Sequence, residues 1–155
     1  MGAFASTDPS SSLTAKVLRA LVKISELKEH EEIDLEHFIK LTKEIKSDGI
    51  LKKPIAVDKN TGIVLDGTHR LRALKTMGYS LIPVILLNYR SSKIGVMSWR
   101  RGEKITKDVV IKASLTKNKL PPKTSKHMVE VNGKFRHISF LEKRVDIPLE
   151  KLKGD

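Results

Sequence analysis

The stretch from Ile63 to Leu74 constrains the fold more than any other part of the chain. It reads Ile-Val-Leu-Asp-Gly-Thr-His-Arg-Leu-Arg-Ala-Leu. This pattern predicts a strand that ends at Asp66, a turn at Gly67, and a helix that begins at once. The first amides of a helix have no intrahelical partner and point outward at the positive end of the helix dipole. The corner at residues 66–70 is therefore predicted to present polar groups to a ligand or to solvent.

Two interpretations of this corner are open from spacing alone. Backbone donors beside an arginine suit a phosphate, with Thr68, His69 and Arg70 at the mouth of the helix. Because a phosphate would be repelled by Asp66 unless a cation lay between them, this carboxylate suggests Mg²⁺ or an amine substrate. In the alternative, Asp66 only caps the helix and Arg70 pairs with it on the surface.

Signals on the N-terminal side of the corner predict a helix and a hairpin. Asp34 is a good N-cap and Gly49 is a helix stop. The apolar positions between them fall on one helical face: Leu35, Phe38, Leu41, Thr42 and Ile45. Residues 54–57 and 63–65 are predicted strands on either side of a turn at residues 58–62.

The remaining elements of the first half follow from the same rules. A short helix over residues 69–77 is closed by Gly78, and residues 82–87 form an apolar strand. Residues 13–24 predict either a short helix or a helix running into a strand, since periodicity does not separate the two. The chain is therefore predicted to be α+β with a mixed sheet.

The second half, after Tyr89, differs from the first in composition: it is more basic and has fewer clear strand and helix signals. Residues 90–104 are basic and are predicted to be irregular. Thr106 is expected to cap a helix that runs to about Thr116. The apolar residues expected to face the core are Val109, Val110, Ala113 and Leu115. Residues 123–127 are predicted to form a polar loop, and the Asn-Gly pair within residues 128–140 predicts a hairpin.

The charge is concentrated in this second half. The chain of 155 residues has 30 Lys and Arg against 18 Asp and Glu, a net charge of +12, and 17 of the basic residues follow Tyr89. Such a balance attracts polyanions, so nucleic acid and nucleotide phosphates are both candidate partners. Plain solubility and adaptation to heat explain the same excess of lysine.

Composition also excludes several classes of function and location. The chain has no cysteine, which excludes disulfides, thiolate metal sites and cysteine nucleophiles. No apolar stretch approaches the roughly 20 residues of a membrane helix, and the N-terminus does not resemble a secretory signal. We therefore expect a cytoplasmic protein with no membrane partner.

The order of these elements resembles the ParB/sulfiredoxin superfamily over roughly residues 20–90. The shared pieces are a His-Glu loop, an amphipathic helix, Gly-Ile-Leu-Lys-Lys-Pro-Ile, a hairpin, the corner and a closing apolar strand. The resemblance implies a ParB/sulfiredoxin-like mixed sheet with flanking helices and a small C-terminal α/β-hairpin extension. The composition of residues 1–12 predicts a flexible leader. The resemblance places a core at 13–90 and a basic part at 91–155 that completes the active site.

Among the branches of this superfamily, the chain most resembles the free-serine kinases. Sulfiredoxins need a cysteine where Thr68 stands, and partition proteins carry a Gly-Glu-Arg-Arg box and a helix-turn-helix domain. The kinases share the His30-Glu31 pair, a box matched by residues 66–70, a tryptophan matched by Trp99, and a late loop matched by residues 122–127.

The resemblance implies transfer of a phosphoryl group from ADP or ATP to free L-serine with Mg²⁺, feeding cysteine biosynthesis. It implies that Glu31 is the catalytic base, that Asp66 and His69 orient the substrate, and that Asp66 can hold Mg²⁺. It assigns nucleotide and phosphate contacts to Lys53, Gly67, Thr68, Arg70, Lys123, Thr124, Ser125 and His127. Trp99 would wall the serine pocket.

Other interpretations of these residues remain. By composition alone, Glu31 is one of several solvated acids in its loop, Trp99 is a core residue and His127 is a surface residue. A ParB-like, nucleotide-responsive DNA-binding protein is the alternative function, because the basic half would also attract DNA.

Overall fold

The computed structural model describes residues 17–154, and its central element is a four-stranded mixed sheet. The first half contains β1 (Leu18–Lys23), α1 (Leu35–Asp48), β2 (Ile50–Leu51), β3 (Ile55–Asp58), β4 (Val64–Asp66), α2 (Thr68–Thr76) and β5 (Leu81–Leu87). The second half contains β6 (Ile94–Ser98), α3 (Lys107–Ser114), β7 (Ser125–Val131), β8 (Lys134–His137) and β9 (Ile147–Pro148).

The central sheet has the strand order β1-β5-β3-β4. β5 runs antiparallel to β1 and parallel to β3, and β3 and β4 form the predicted antiparallel hairpin. The parallel pair is connected through β4 and α2, so the strand-to-helix corner lies at the end of the hairpin. The α+β class and the mixed sheet are confirmed.

Both faces of the central sheet are covered. Alternate residues of β3 belong to two separate apolar cores: Ile55 and Val57 pack with α1 and α2, whereas Ala56 packs with residues of α3, β6 and β7. A strand buried on both faces is continuously apolar, which explains the run at residues 54–57. The second half of the chain therefore forms one wall of the core.

The predicted bounds of α1 are confirmed, although its apolar face is shorter than expected. The Asp34 carboxylate accepts a hydrogen bond from the backbone N–H of His37, and Gly49 ends the helix with a left-handed φ of 70°. Leu35 is 64% exposed, contrary to the prediction. The contact of α1 with the core begins one turn later, at Phe38.

In α3 the predicted cap is confirmed and two inward positions are wrong. The Thr106 hydroxyl accepts from the backbone N–H of Val109. Val109 and Val110 are adjacent, so only one of them faces the core, and it is Val110. Leu115 lies beyond the last helical residue and is 67% exposed.

A three-stranded antiparallel sheet, β6-β7-β8, corrects two predictions for the second half. Residues 94–98 are not irregular and residues 125–127 are not loop, because they pair with each other along β6 and β7. The hairpin of β7 and β8 is confirmed, with left-handed φ at Asn132 and Gly133, as its tight turn requires.

At the N-terminus, the described part of the segment predicted as helix or helix-to-strand is a strand. β1 pairs with β5 along its length, and a single 3-10 turn, Ile24–Glu26, follows. The leader at residues 1–12 and the start of that segment lie outside the described residues. Within residues 17–154, no helix is long and apolar enough to cross a membrane.

Candidate active site

Three separate segments of the chain meet around a cleft of about 400 Å³. The loop before α1 contributes Glu31, the strand-to-helix corner contributes residues 65–69, and the segment leading into β7 contributes Lys123 and Ser125. Trp99 closes one side. The structure thus brings together the three regions that sequence analysis singled out.

Glu31 is fixed by donors from the far half of the chain. Its Oε1 accepts from the backbone N–H of Thr124 (2.9 Å), the backbone N–H of Ser125 (2.8 Å) and the Ser125 hydroxyl (3.1 Å). Lys123 has a left-handed φ of 58°, and this turn directs the two successive amides toward one oxygen. Burial raises the pKa of Glu31, while these hydrogen bonds oppose the shift.

The backbone of the Glu31 loop is also tied to the segment before β7. The N–H of Leu120 donates to the carbonyl of His30, and the N–H of Glu32 donates to the carbonyl of Leu120. Glu31 is therefore neither mobile nor fully solvated, unlike the loop acid that composition alone suggested.

The corner itself requires glycine at position 67. Gly67 has a φ of 105°, and a Cβ at this position would lie 2.3 Å from Cγ2 of Ile55. With no side chain, the backbone passes directly over β3, and α2 begins at Thr68 beside the cleft. Asp66 does not cap α2, since Gly67 is the N-cap and no side chain caps it.

His69 is oriented by the start of α1. Its Nε2 accepts from the backbone N–H of Asp34 (2.9 Å), and its ring lies against that of His37 with centroids 4.2 Å apart. Burial, followed by the neighbouring His37, lowers the pKa of His69. The neutral ring therefore carries its proton on Nδ1 and can donate a hydrogen bond in the cleft.

The geometry does not support the phosphate role of Arg70. Its Nη1 donates to the carbonyl of Pro54 (2.6 Å), and its Nη2 pairs with Glu142 (2.9 Å) and Asp66 (3.4 Å). The guanidinium faces a second groove, of about 210 Å³, which Lys53 also lines. Neither Arg70 nor Lys53 lines the cleft, because both side chains point to the other side of the corner.

Glu142 is a residue of this region that sequence analysis missed. It is 3% exposed, and its Oε1 accepts a hydrogen bond from Nη2 of Arg70 (2.9 Å). Burial raises its pKa to about 8, opposed by Arg70 and reinforced by Asp66. Its sequence context, Phe-Leu-Glu-Lys-Arg, carries no signal of burial, since the partner lies 72 positions away.

All five histidines of the chain line the cleft: His30, His37, His69, His127 and His137. Of these, the sequence predicts a site role for His69 and His127 and places His30 in the His-Glu motif. Burial lowers the pKa of His30 to about 4 and that of His127 to about 3. Both rings are therefore neutral near pH 7, and the cleft is less positive than its composition suggests.

Two predicted phosphate ligands have other partners. His127 is buried, not on the surface, and its Nε2 lies 2.9 Å from the Tyr89 hydroxyl. The Thr124 hydroxyl donates to the carbonyl of Pro121 (2.6 Å), and its N–H serves Glu31. Lys123, Ser125, Gly67 and Thr68 do line the cleft.

Trp99 lies at the rim of the cleft and is 51% exposed, which excludes the core interpretation. The ammonium of Lys126 lies 4.6 Å from the centroid of its ring, and the His137 ring lies 5.8 Å away on the cleft side. The indole can therefore form a flat apolar wall for a small ligand.

The acidic groups of the cleft are few. Among residues 17–154, no group of three or more His, Asp or Glu side chains is arranged to hold a metal ion. Asp66 and Glu31 are the carboxylates that line the cleft. One carboxylate together with substrate phosphates is an ordinary Mg²⁺ environment, so the donor set fits a magnesium ion that arrives with a nucleotide.

Comparison by sequence identifies relatives with two kinds of name. An ATP-dependent L-serine kinase of Staphylothermus marinus is 34% identical over 83 residues, which are 51% of this chain and 33% of the relative. A ParB-like protein of Sulfolobus acidocaldarius is 34% identical over 80 residues, 52% of this chain and 40% of the relative. An ADP-dependent L-serine kinase of Thermococcus kodakarensis is 30% identical over 93 residues, 56% of this chain and 37% of the relative.

The matched segments thus span only a third to two fifths of these curated relatives. No family model matches the chain. Comparison by structure covers more of it: a free serine kinase variant in complex with AMP superposes with a TM-score of 0.73 at 16% identity, over 90% of this chain and 95% of the other. The chain has the fold of the free serine kinases. The expected mixed sheet with flanking helices and a C-terminal hairpin is confirmed.

Proposed function

We propose that this chain transfers the terminal phosphoryl group of ADP or ATP to the hydroxyl of free L-serine, giving O-phospho-L-serine for cysteine biosynthesis. The observation that carries the proposal is the convergence of Glu31, the corner and the Lys123 segment on one cleft. Relatives named L-serine kinase align with this chain, and one of them is named ADP-dependent and another ATP-dependent.

Glu31 is the proposed general base. A serine hydroxyl is a weak nucleophile at neutral pH, so a carboxylate that accepts its proton assists attack. In the step, the hydroxyl oxygen bonds to the terminal phosphorus, the bond from that phosphorus to the bridging oxygen breaks, and the proton passes to Glu31 and then to solvent. The nucleotide leaves with one phosphate fewer.

The phosphates are proposed to lie between the start of α2 and Lys123. The unpaired N–H groups of the first turn, near Thr68, and the Lys123 ammonium both favour anions. His69 donates from Nδ1 to orient a substrate oxygen. Asp66 would hold Mg²⁺ together with the phosphates, and the ion would neutralise charge that develops during transfer.

A two-part organisation follows from these assignments. We assign the sheet, its corner and the Glu31 loop to a core at residues 13–90, and the completion of the site to the basic part at 91–155. The second part supplies Trp99, Lys123 and Ser125 to the cleft. Trp99 is the proposed wall of the serine pocket.

The test is direct. The protein is incubated with Mg²⁺, L-serine and either ADP or ATP, and O-phosphoserine is measured by mass spectrometry. We expect product that depends on serine and on at least one nucleotide. Glu31→Gln should lose product by about 100-fold or more while it still binds nucleotide, since general-base catalysis typically contributes roughly 10²–10⁴-fold. Glu32→Gln makes the same charge change on the exposed neighbour and should remain active.

Two results would refute the proposal. Full activity of Glu31→Gln would remove this residue from the base role. The absence of O-phosphoserine with either nucleotide, combined with retardation of DNA that declines steeply with salt, would favour the ParB-like DNA-binding alternative.

A further inference from the structure

Behind Glu31 lies a half-buried polar network to which the proposed reaction assigns no role. Ser125 supplies two of the three hydrogen bonds that reach Oε1 of Glu31, one from its backbone N–H and one from its hydroxyl. The same hydroxyl lies 2.8 Å from Nε2 of His30. His30 is buried and immediately precedes Glu31 in the chain.

The direction of these hydrogen bonds follows from counting protons. A serine hydroxyl has one proton to donate, and a carboxylate is a stronger acceptor than a neutral imidazole. The Ser125 hydroxyl therefore donates to Glu31 and accepts from Nε2–H of His30. Because burial keeps His30 neutral, this ring has one N–H. We assign that proton to Nε2, since Nδ1 has no hydrogen-bond partner among the described residues, and the order His30 to Ser125 to Glu31 uses it.

We propose that Ser125 is a positioning residue for the general base: with His30 behind it, its hydroxyl fixes one oxygen of Glu31 so that the other oxygen faces the acceptor hydroxyl. The catalytic consequence rests on the proposed kinase function. The structural part, the control of Glu31 by Ser125, does not depend on it.

This assignment replaces the phosphate contact that the family resemblance implied for Ser125. A phosphate oxygen accepts hydrogen bonds, and both donors of Ser125 are already directed at Glu31. To bind a phosphate, the hydroxyl would have to break its hydrogen bond to the half-buried Glu31 carboxylate. Lys123, whose ammonium is free of such a bond among the described residues, has no comparable conflict.

Removal of the hydroxyl has a defined electrostatic effect. A hydrogen bond to the charged form of an acid stabilises that form, so its loss raises the pKa of Glu31. The other titratable groups that face this cleft are Asp66, Lys123 and the five histidines. Among them only His30 also contacts the Ser125 hydroxyl, so a shift in the assigned titration of Glu31 reports on the loss of this hydroxyl and its two hydrogen bonds.

Three variants test the proposal in the full chain. Ser125→Ala removes the hydroxyl and keeps the backbone donor, and Ser125→Thr restores a hydroxyl. Ser114→Ala is the matched control, because it removes a buried serine hydroxyl that donates to Ile111 in α3, outside the cleft. Circular dichroism and thermal melting first establish that each variant folds.

We expect kcat of Ser125→Ala to fall by about 10- to 100-fold, with the nucleotide Kd and the KM for serine changed by less than about 2-fold. The acidic limb of its pH–rate profile should move to higher pH. Ser125→Thr should recover most of kcat, and Ser114→Ala should match the unaltered protein. Carboxyl-¹³C glutamate titration, assigned with Glu31→Gln, should give a higher pKa for Glu31 in Ser125→Ala.

The outcomes that overturn the proposal are distinct from those that overturn the kinase. A weaker nucleotide Kd with unchanged kcat would make Ser125 a phosphate ligand. An unchanged pKa of Glu31 in Ser125→Ala, or a Ser125→Thr variant as slow as Ser125→Ala, would also refute it. If the unaltered protein makes no O-phosphoserine, the function fails, and the NMR titration alone still decides the role of Ser125.

Discussion

The replacement of Gly67 by alanine should destabilise the protein by more than a conformational penalty. Gly67 has a left-handed φ of 105°, and its Cβ would lie 2.3 Å from Cγ2 and 2.7 Å from Cβ of Ile55. Ile55 is fully buried in β3, so its side chain cannot move away without displacing other core residues. The left-handed backbone costs about 1–2 kcal/mol for a residue with a Cβ, and overpacking of a core adds about 1–3 kcal/mol.

Gly78, at the other end of α2, provides the matched control. Its φ of 87° imposes the same kind of backbone penalty, but nothing lies within 4 Å of the point that a Cβ would occupy there. We expect Gly78→Ala to lower the free energy of unfolding by about 1–2 kcal/mol. Gly67→Ala should lower it by about 2–5 kcal/mol. The difference isolates the collision with Ile55.

Urea unfolding followed by circular dichroism measures both free energies, provided that the m-values agree. Ile55→Ala in the Gly67→Ala background should cost less than it does in the unaltered protein, since it removes the colliding methyl. Equal destabilisation by Gly67→Ala and Gly78→Ala, or strict additivity in the double variant, would refute the argument that the corner needs close backbone approach.

Two further predictions concern charge. Lys123→Ala should weaken nucleotide binding by about 10-fold, a typical loss for a charged hydrogen bond, while Lys117→Ala, an exposed lysine outside the cleft, should not; equal Kd values in calorimetry would remove Lys123 from the phosphate site. Because burial raises the pKa of Glu142 to about 8, the folded state binds more protons than the unfolded state between roughly pH 4.5 and 8. The free energy of unfolding should therefore decline as pH rises through that window. Urea titrations at several pH values should show a smaller decline for Glu142→Gln, and an equal decline in both proteins would contradict the prediction.

Local signals in the sequence predicted the elements whose structure is set locally. The N-cap at Asp34, the stop at Gly49 and the Asn132-Gly133 turn each act within a few residues, and all three are confirmed. β6 and the start of β7 were missed because their pairing, such as Val96 with His127, joins positions far apart in the chain. β7 begins with three polar residues, Ser125 to His127, and β6 is a short segment interrupted by Gly95, so neither shows the alternation of a strand.

The candidate site divides in the same way. Spacing identified the strand-to-helix corner, and family resemblance pointed to Glu31 and the Lys123 segment. Neither could supply the partner of Arg70, since Glu142 is brought to it only by the tertiary fold. The spacing of four residues between Asp66 and Arg70 is compatible with a phosphate site and with an ion pair. In the structure, Arg70 pairs with Asp66.

The two-sided burial of the central sheet limits how this core could be reused in evolution. Ala56, Ile85 and Leu87 lie beneath residues from the second half of the chain. A fragment that contained only the first half would have a sheet with one exposed apolar face, and such a face favours self-association. Exchange of the C-terminal part would therefore remove both the cover over this face of the sheet and the donors that hold Glu31.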